Sequence, residues 1–132
     1  GLSPLLRALF CLVEFLDPPV ADALDEAECG EMHFAVPWVL TWFAHSLPRL
    51  HEQVMRLYDC LLASHPAAIL YFSAALILRQ RDAVLQAPRE LPEMVMIMQG
   101  LPWRALDVDA WALEAGDLMR RVPPEELVAR LP

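Results

Sequence analysis

Cys29 and His33 stand four residues apart, a spacing at which two side chains of one helix can hold the same metal ion. Gly30 lies between them, and no second pair of ligands has matching spacing, whereas zinc sites ordinarily show two close pairs. A helix end followed by a loop is the stronger reading, and no metal is assigned. His45 sits in an apolar stretch that would shift its pKa and suit it to general-base work. No nucleophile is placed beside it by sequence, so a satisfied histidine in a core or at its rim weighs more. No catalytic and no cofactor-binding residue is assigned.

Three further groups carry charge or adaptable surface. Asp22, Asp25, Glu26, Glu28 and Glu31 form an acidic cluster, read as a solvated helix face before a docking surface. Met94, Met96 and Met98 could make a pliable binding surface, but core packing is the commoner use. Arg56 and Asp59, three apart, fit either an ordinary surface ion pair or a contact with a partner surface. The sequence holds no G-x-G-x-x-G, P-loop, H-E-x-x-H, G-x-S-x-G or C-x-x-C.

Composition narrows the classes. The chain has 132 residues, about one domain, enough to bury roughly two-thirds of its unfolded surface. A hydrophobic share of 57% with only four glycines argues against disorder and for a packed helical core. The formal net charge is −8, and every basic residue is an arginine, scattered without a basic run. Such a surface repels phosphate backbones and anionic lipid, so nucleic acid is not expected as a partner. Cys11, Cys29 and Cys60 are too few and too widely spaced for a disulfide framework and suit a reducing compartment. No signal peptide is seen. The chain opens on glycine and reads as a piece of something longer.

The elements that must position these residues are helices. Ser3 with Pro4, and Asp17 with Pro18, read as a cap followed by proline in the first turn, and Gly30 reads as a stop. In "PWVLTWFAHSLP" (37–48), Trp38 and Trp42 share a helical face with Phe34, and Val39, Phe43 and Leu47 take the next face. A helix apolar nearly all round belongs in a core. "RLHEQVMRLYDCLLA" is amphipathic, with Leu50, Val54, Leu57, Tyr58, Leu61 and Leu62 opposite Glu52, Arg56 and Asp59. "AAILYFSAALIL" (67–78) would extend about 18 Å, against roughly 30 Å of bilayer hydrocarbon, and reads as a buried helix rather than a span. A methionine-rich helix between Pro92 and Gly100 follows. A helix capped by Asp107 places Val108, Trp111, Ala112, Ala115, Leu118, Met119 and Val122 on one face, and "PPEELVARL" starts the last helix. The expectation is an all-α fold of seven or eight short helices.

As one string, "WVLTWFAHSLPRLHEQVMRLYDCLL" (38–62) resembles the signature of TBC-domain Rab GTPase-activating proteins. These carry a tryptophan-phenylalanine helix, a short link, and an Arg-(Ile/Leu)-(Trp/Tyr)-Asp helix. Here the family-signature residues are Trp38, Trp42, Phe43, Arg56 and Asp59, read as structural. "DALDEAECGEMHFAVPW", "LLASHPAAILYFSAALIL" and "AGDLMRRVPPEELV" continue the likeness in the order found in a branch anchored at the endoplasmic reticulum. The family accelerates GTP hydrolysis by a Rab partner with an arginine in Ile-x-x-Asp-x-x-Arg and a glutamine in Tyr-x-Gln. Neither motif is present: Tyr58 is followed by Asp59-Cys60 and Tyr71 by Phe72-Ser73.

The resemblance therefore implies that residues 1–132 are the C-terminal part of such a domain, without its finger-bearing N-terminal half. Its implied partners are a Rab-family small GTPase and that missing half, with no membrane span in this chain. It would act in early secretory traffic, on the cytoplasmic face of endoplasmic reticulum or Golgi membranes. Its rival is a helical interaction module without activity. A small-molecule enzyme would need convergent polar groups, which the sequence does not offer. Half a domain should also expose an apolar patch larger than the few hundred Å² usual for monomers.

Overall fold

The computed structural model describes residues 2–43 and 51–132, and among these every regular element is helical. The all-α expectation holds. Nine α-helices and two 3-10 turns are present among the described residues, against the seven or eight helices expected. The additional helix is the short α6 (Arg81–Gln86), in a stretch where charge at Arg79–Asp82 reads only as an end.

Helix α1 (Leu2–Leu16) buries Leu6, Leu9, Leu12 and Val13 along one stripe. It already includes Ser3, so Ser3 and Pro4 lie in its first turn, where proline is tolerated, and Ser3 is not its cap. Asp17 caps α2 (Pro18–Glu26) as expected, its carboxylate accepting the Val20 N–H at 3.4 Å. Gly30 does not stop α2. The helix ends at Ala27, and the left-handed turn falls on Glu28 (φ 63°). A Cβ at Gly30 would approach Asp25 Oδ1 to 2.8 Å, a contact that the exposed Asp25 side chain can relieve by turning away.

A 3-10 turn (His33–Ala35) leads into α3 (Val36–Thr41), and after the gap in the description comes α4 (His51–Ala63). Helix α5 (Ala68–Arg79) buries every residue from Ala68 to Ile77 and is the centre of the fold. Its polar groups are satisfied locally or across the core: Ser73 donates to the Ile69 carbonyl at 2.8 Å and Tyr71 to the Val122 carbonyl at 2.5 Å. None of the described helices is long and apolar enough to cross a membrane.

The short α6 (Arg81–Gln86) starts as soon as α5 ends, with Val84 buried and Arg81 held by Asp17 at 2.7 Å. In α7 (Leu91–Gln99), Met94 and Met98 are core while Met96 points out, because helical spacing puts it on the opposite side. Asp107 caps α8 (Val108–Arg121), accepting from the N–H groups of Asp109 and Ala110 at 3.0 and 3.2 Å. Val108, Trp111, Ala115, Leu118 and Val122 form its buried face. Finally α9 (Pro124–Arg130) inserts Leu127 and lays the Arg130 guanidinium over the Phe15 ring of α1 at 4.0 Å. Helix α5 thus lies between α8 and α1, its two principal neighbours.

Candidate functional site

The five family-signature residues fall around the corner between α3 and α4, but not as one helical face. The chain leaves α3 at Thr41, and Trp42 (φ 49°) and Phe43 (φ 64°) are both left-handed. This contradicts the continuous helix expected through 37–48, and Leu47, Leu50 and His45 lie outside the described residues. Left-handed residues with side chains cost about 1–2 kcal/mol each, so the two together cost about 2–4 kcal/mol. The compensation is the burial of Phe43, on the order of 1.5–3 kcal/mol, with aromatic contacts added. Its ring centroid lies 4.7 Å from Trp111, 5.9 Å from Trp38 and 6.3 Å from Trp103. Phe34 meets Trp38 edge-on at 5.5 Å.

Trp38 and Phe43 are therefore core, as the sequence leads one to expect, whereas Trp42 is not. The reversal of the backbone turns Trp42 outward, 39% exposed, with its ring perpendicular to Tyr58 at 5.9 Å. Tyr58 spans the corner, donating its hydroxyl to the Thr41 carbonyl at 3.3 Å.

Arg56 and Asp59 do not pair with each other. Arg56 Nε reaches Asp109 Oδ1 of α8 at 2.7 Å, in a pair whose side chains are 65% and 59% exposed. This hydrogen bond is the main reason the Arg56 pKa is pushed up further. Asp59 is exposed and makes no ion pair among the described residues. The order explains part of this, since an acid preceding a base is the better arrangement within a helix. Asp109 was not legible as a partner, because 53 residues separate it from Arg56 and its local pattern shows only a helix first turn.

The other candidates separate. Cys29 is buried, its thiol directed to the Ala27 carbonyl, and burial raises its pKa, which disfavours the thiolate that a metal or nucleophile requires. His33 is exposed beside Glu31 at 3.1 Å. No group of three potential metal ligands occurs among the described residues. In the acidic cluster all five residues are exposed, and Glu26 pairs with Arg89 of the α6–α7 link at 3.1 Å.

Two open recesses flank the corner and the core. One of about 400 Å³ is bounded by Arg56, Arg104, Asp107 and Asp109. The other, of about 350 Å³, lies between α5 and α8 above Ala75 and Leu118, rimmed by the Arg79–Glu114 ion pair. Neither lining combines a nucleophile with a base. Leu40, Met55 and Leu113 join Trp42 among the exposed large apolar side chains. Apolar and charged side chains line both recesses.

The sequence profile of the Rab-GTPase-TBC domain matches residues 1–85. TBC1 domain family member 20 of Homo sapiens is 32% identical over 123 residues, which is 93% of this chain and 30% of that protein. GTPase-activating protein gyp10 of Schizosaccharomyces pombe is 30% identical over 61% of this chain and 21% of its own length. TBC domain-containing protein kinase-like protein of Gallus gallus is 28% identical over 85% of this chain and 12% of its own. The chain thus spans less than a third of the length of each of these relatives. With a matching profile over residues 1–85, more than half of its length, the chain belongs to the Rab-GTPase-TBC domain family.

Proposed function

We propose that residues 1–132 are the C-terminal part of a Rab GTPase-activating domain, on which a finger-bearing N-terminal half and a Rab-family small GTPase assemble. One observation carries the reading: likeness to TBC1 domain family member 20 covers 93% of the chain, yet the sequence contains neither Ile-x-x-Asp-x-x-Arg nor Tyr-x-Gln. The Schizosaccharomyces pombe relative is named as a GTPase-activating protein, which supports activation as the work. In that work an arginine neutralises charge on the transferring phosphoryl group and a glutamine orients the attacking water, while the GTP belongs to the partner. This chain supplies neither group. Its contribution is to hold the surface: Trp38 and Phe43 anchor the corner internally, and α4 presents Arg56 and Asp59. The place of action that fits the resemblance is the cytoplasmic face of endoplasmic reticulum or Golgi membranes, in vesicle traffic between them.

The test compares this chain with the full reading frame that encodes it, measuring phosphate release from a panel of GTP-loaded Rab GTPases. Loss of an arginine finger alone costs about 10³–10⁵ in rate, so the chain should be inert and the full protein active. If neither accelerates hydrolysis while the chain binds a Rab, the interaction-module reading replaces it; the exposed Leu40, Trp42 and Met55 favour that alternative.

A further inference from the structure

We propose that the Arg56–Asp109 ion pair is the fastening by which α8 holds α4 in register, which makes Asp109 a positioning residue for the helix that carries the Arg-Leu-Tyr-Asp motif. The consequence for a GTPase partner rests on the reading proposed above, but the fastening itself does not.

Among its described side chains, helix α4 has few buried anchors. Leu57 and Leu61 are fully buried, and Val54, Tyr58 and Cys60 are half-buried. Helix α5, by comparison, buries ten residues in succession. Among the described residues, α8 is the helix against which α4 packs most, and the pair at 2.7 Å bridges these two. Asp109 is a firm anchor, because its own N–H is held by the capping carboxylate of Asp107 at 3.0 Å. Arg56 directly precedes Leu57. Helical geometry turns successive side chains by about 100°, so a one-residue slip of α4 would carry Arg56 off Asp109 as it carried Leu57 out of the core.

An exposed pair contributes little to the stability of a whole domain. A helix with few buried anchors is different, because it opens locally at low free energy, where a modest interaction shifts the open population severalfold. Asp109 also lies beyond residues 1–85, so the profile match takes in Arg56 without the residue that holds it.

The experiment uses the full reading frame that encodes the chain, as wild type, Arg56→Ala, Asp109→Ala and the exchanged pair Arg56→Asp with Asp109→Arg. Amide hydrogen exchange is followed in α4 and in α5, alongside thermal unfolding and phosphate release from the GTP-loaded Rab panel. Each alanine variant should raise α4 exchange on the order of threefold to fivefold, the scale of exposed ion pairs. Exchange in α5 and the Tm should stay as in the wild type, and the exchanged pair should recover most of the α4 protection. Stimulation of hydrolysis should fall and recover in parallel. Unchanged α4 exchange in both alanine variants, or no recovery in the exchanged pair, overturns the fastening. If α4 loosens and recovers while the wild type stimulates no Rab, the fastening stands and the GTPase-activating reading falls.

Discussion

Between α5 and α8 the contact is made by burial: Phe72 meets Trp111 edge-on at 5.0 Å, and the Trp111 indole N–H donates to the Phe72 carbonyl at 2.9 Å. At the α3–α4 corner only the inner aromatic residues are buried. Among the described residues, the contacts around the outer ones include a left-handed backbone at Trp42, a hydrogen bond from Tyr58 to Thr41, and an exposed ion pair. The first region is held mainly by close-packed apolar area taken from water, to which the Trp111 hydrogen bond and the Arg79–Glu114 ion pair at the rim are added. The second is held by a few directional contacts, each of which can be lost alone. In a domain proposed to present a surface to a partner, that difference sets a buried core behind the directional contacts of the described part of the corner.

The strongest test of this contrast is Trp111→Ala. Removing a fully buried tryptophan, and leaving the Phe72 carbonyl without its donor, should cost about 3–5 kcal/mol and show as a large fall in thermal midpoint. Phe43→Ala should cost about 3 kcal/mol, because Phe43 belongs to the core despite its place at the corner. A loss near zero would mean the corner is independent of the core. Asp17→Ala removes both the α2 cap and the partner of Arg81, and chemical denaturation should register a loss of about 1 kcal/mol. Asp17→Asn keeps the cap and should lose less.

Trp42→Gly should lie within about 1 kcal/mol of the wild type, since relief of the left-handed backbone offsets the lost ring contact. A large loss there would erase the distinction between the corner's inner and outer aromatic residues. The smallest effect is one of pH. Burial raises the pKa of the Cys29 thiol above 9.0 and, with help from Glu125 and Glu126, that of Tyr71 above 10.0. The unfolded chain therefore gives up these protons first, and stability present below pH 9.0 declines as pH rises through the folded values. Urea titrations between neutral and alkaline pH should show the decline, and Cys29→Ala should make it shallower.

Legibility followed the kind of information each feature needs. Helix α5 could be read because an almost wholly apolar run bounded by proline and charge leaves no solvent-facing side. The caps at Asp17 and Asp107 could be read because a cap is satisfied within three residues. The proposed cap at Ser3 and stop at Gly30 failed for related reasons: α1 takes in Leu2, and Glu28 adopts the left-handed turn ahead of the glycine. Helix α6 was hidden because its single fully buried residue, Val84, leaves almost no periodic signal.

What the sequence determined by itself is the helical class, the central helix and most helix faces, since periodicity and capping are local properties of the chain. Family likeness was legible too, as an order of motifs. The outward turn of Trp42 and the exchange of Asp59 for Asp109 as the partner of Arg56 were decided only in three dimensions. Each depends on what a distant segment brings alongside. Trp111 and Trp103 make the pocket that draws Phe43 inward, and that demand outweighs the local preference to continue α3 as a helix.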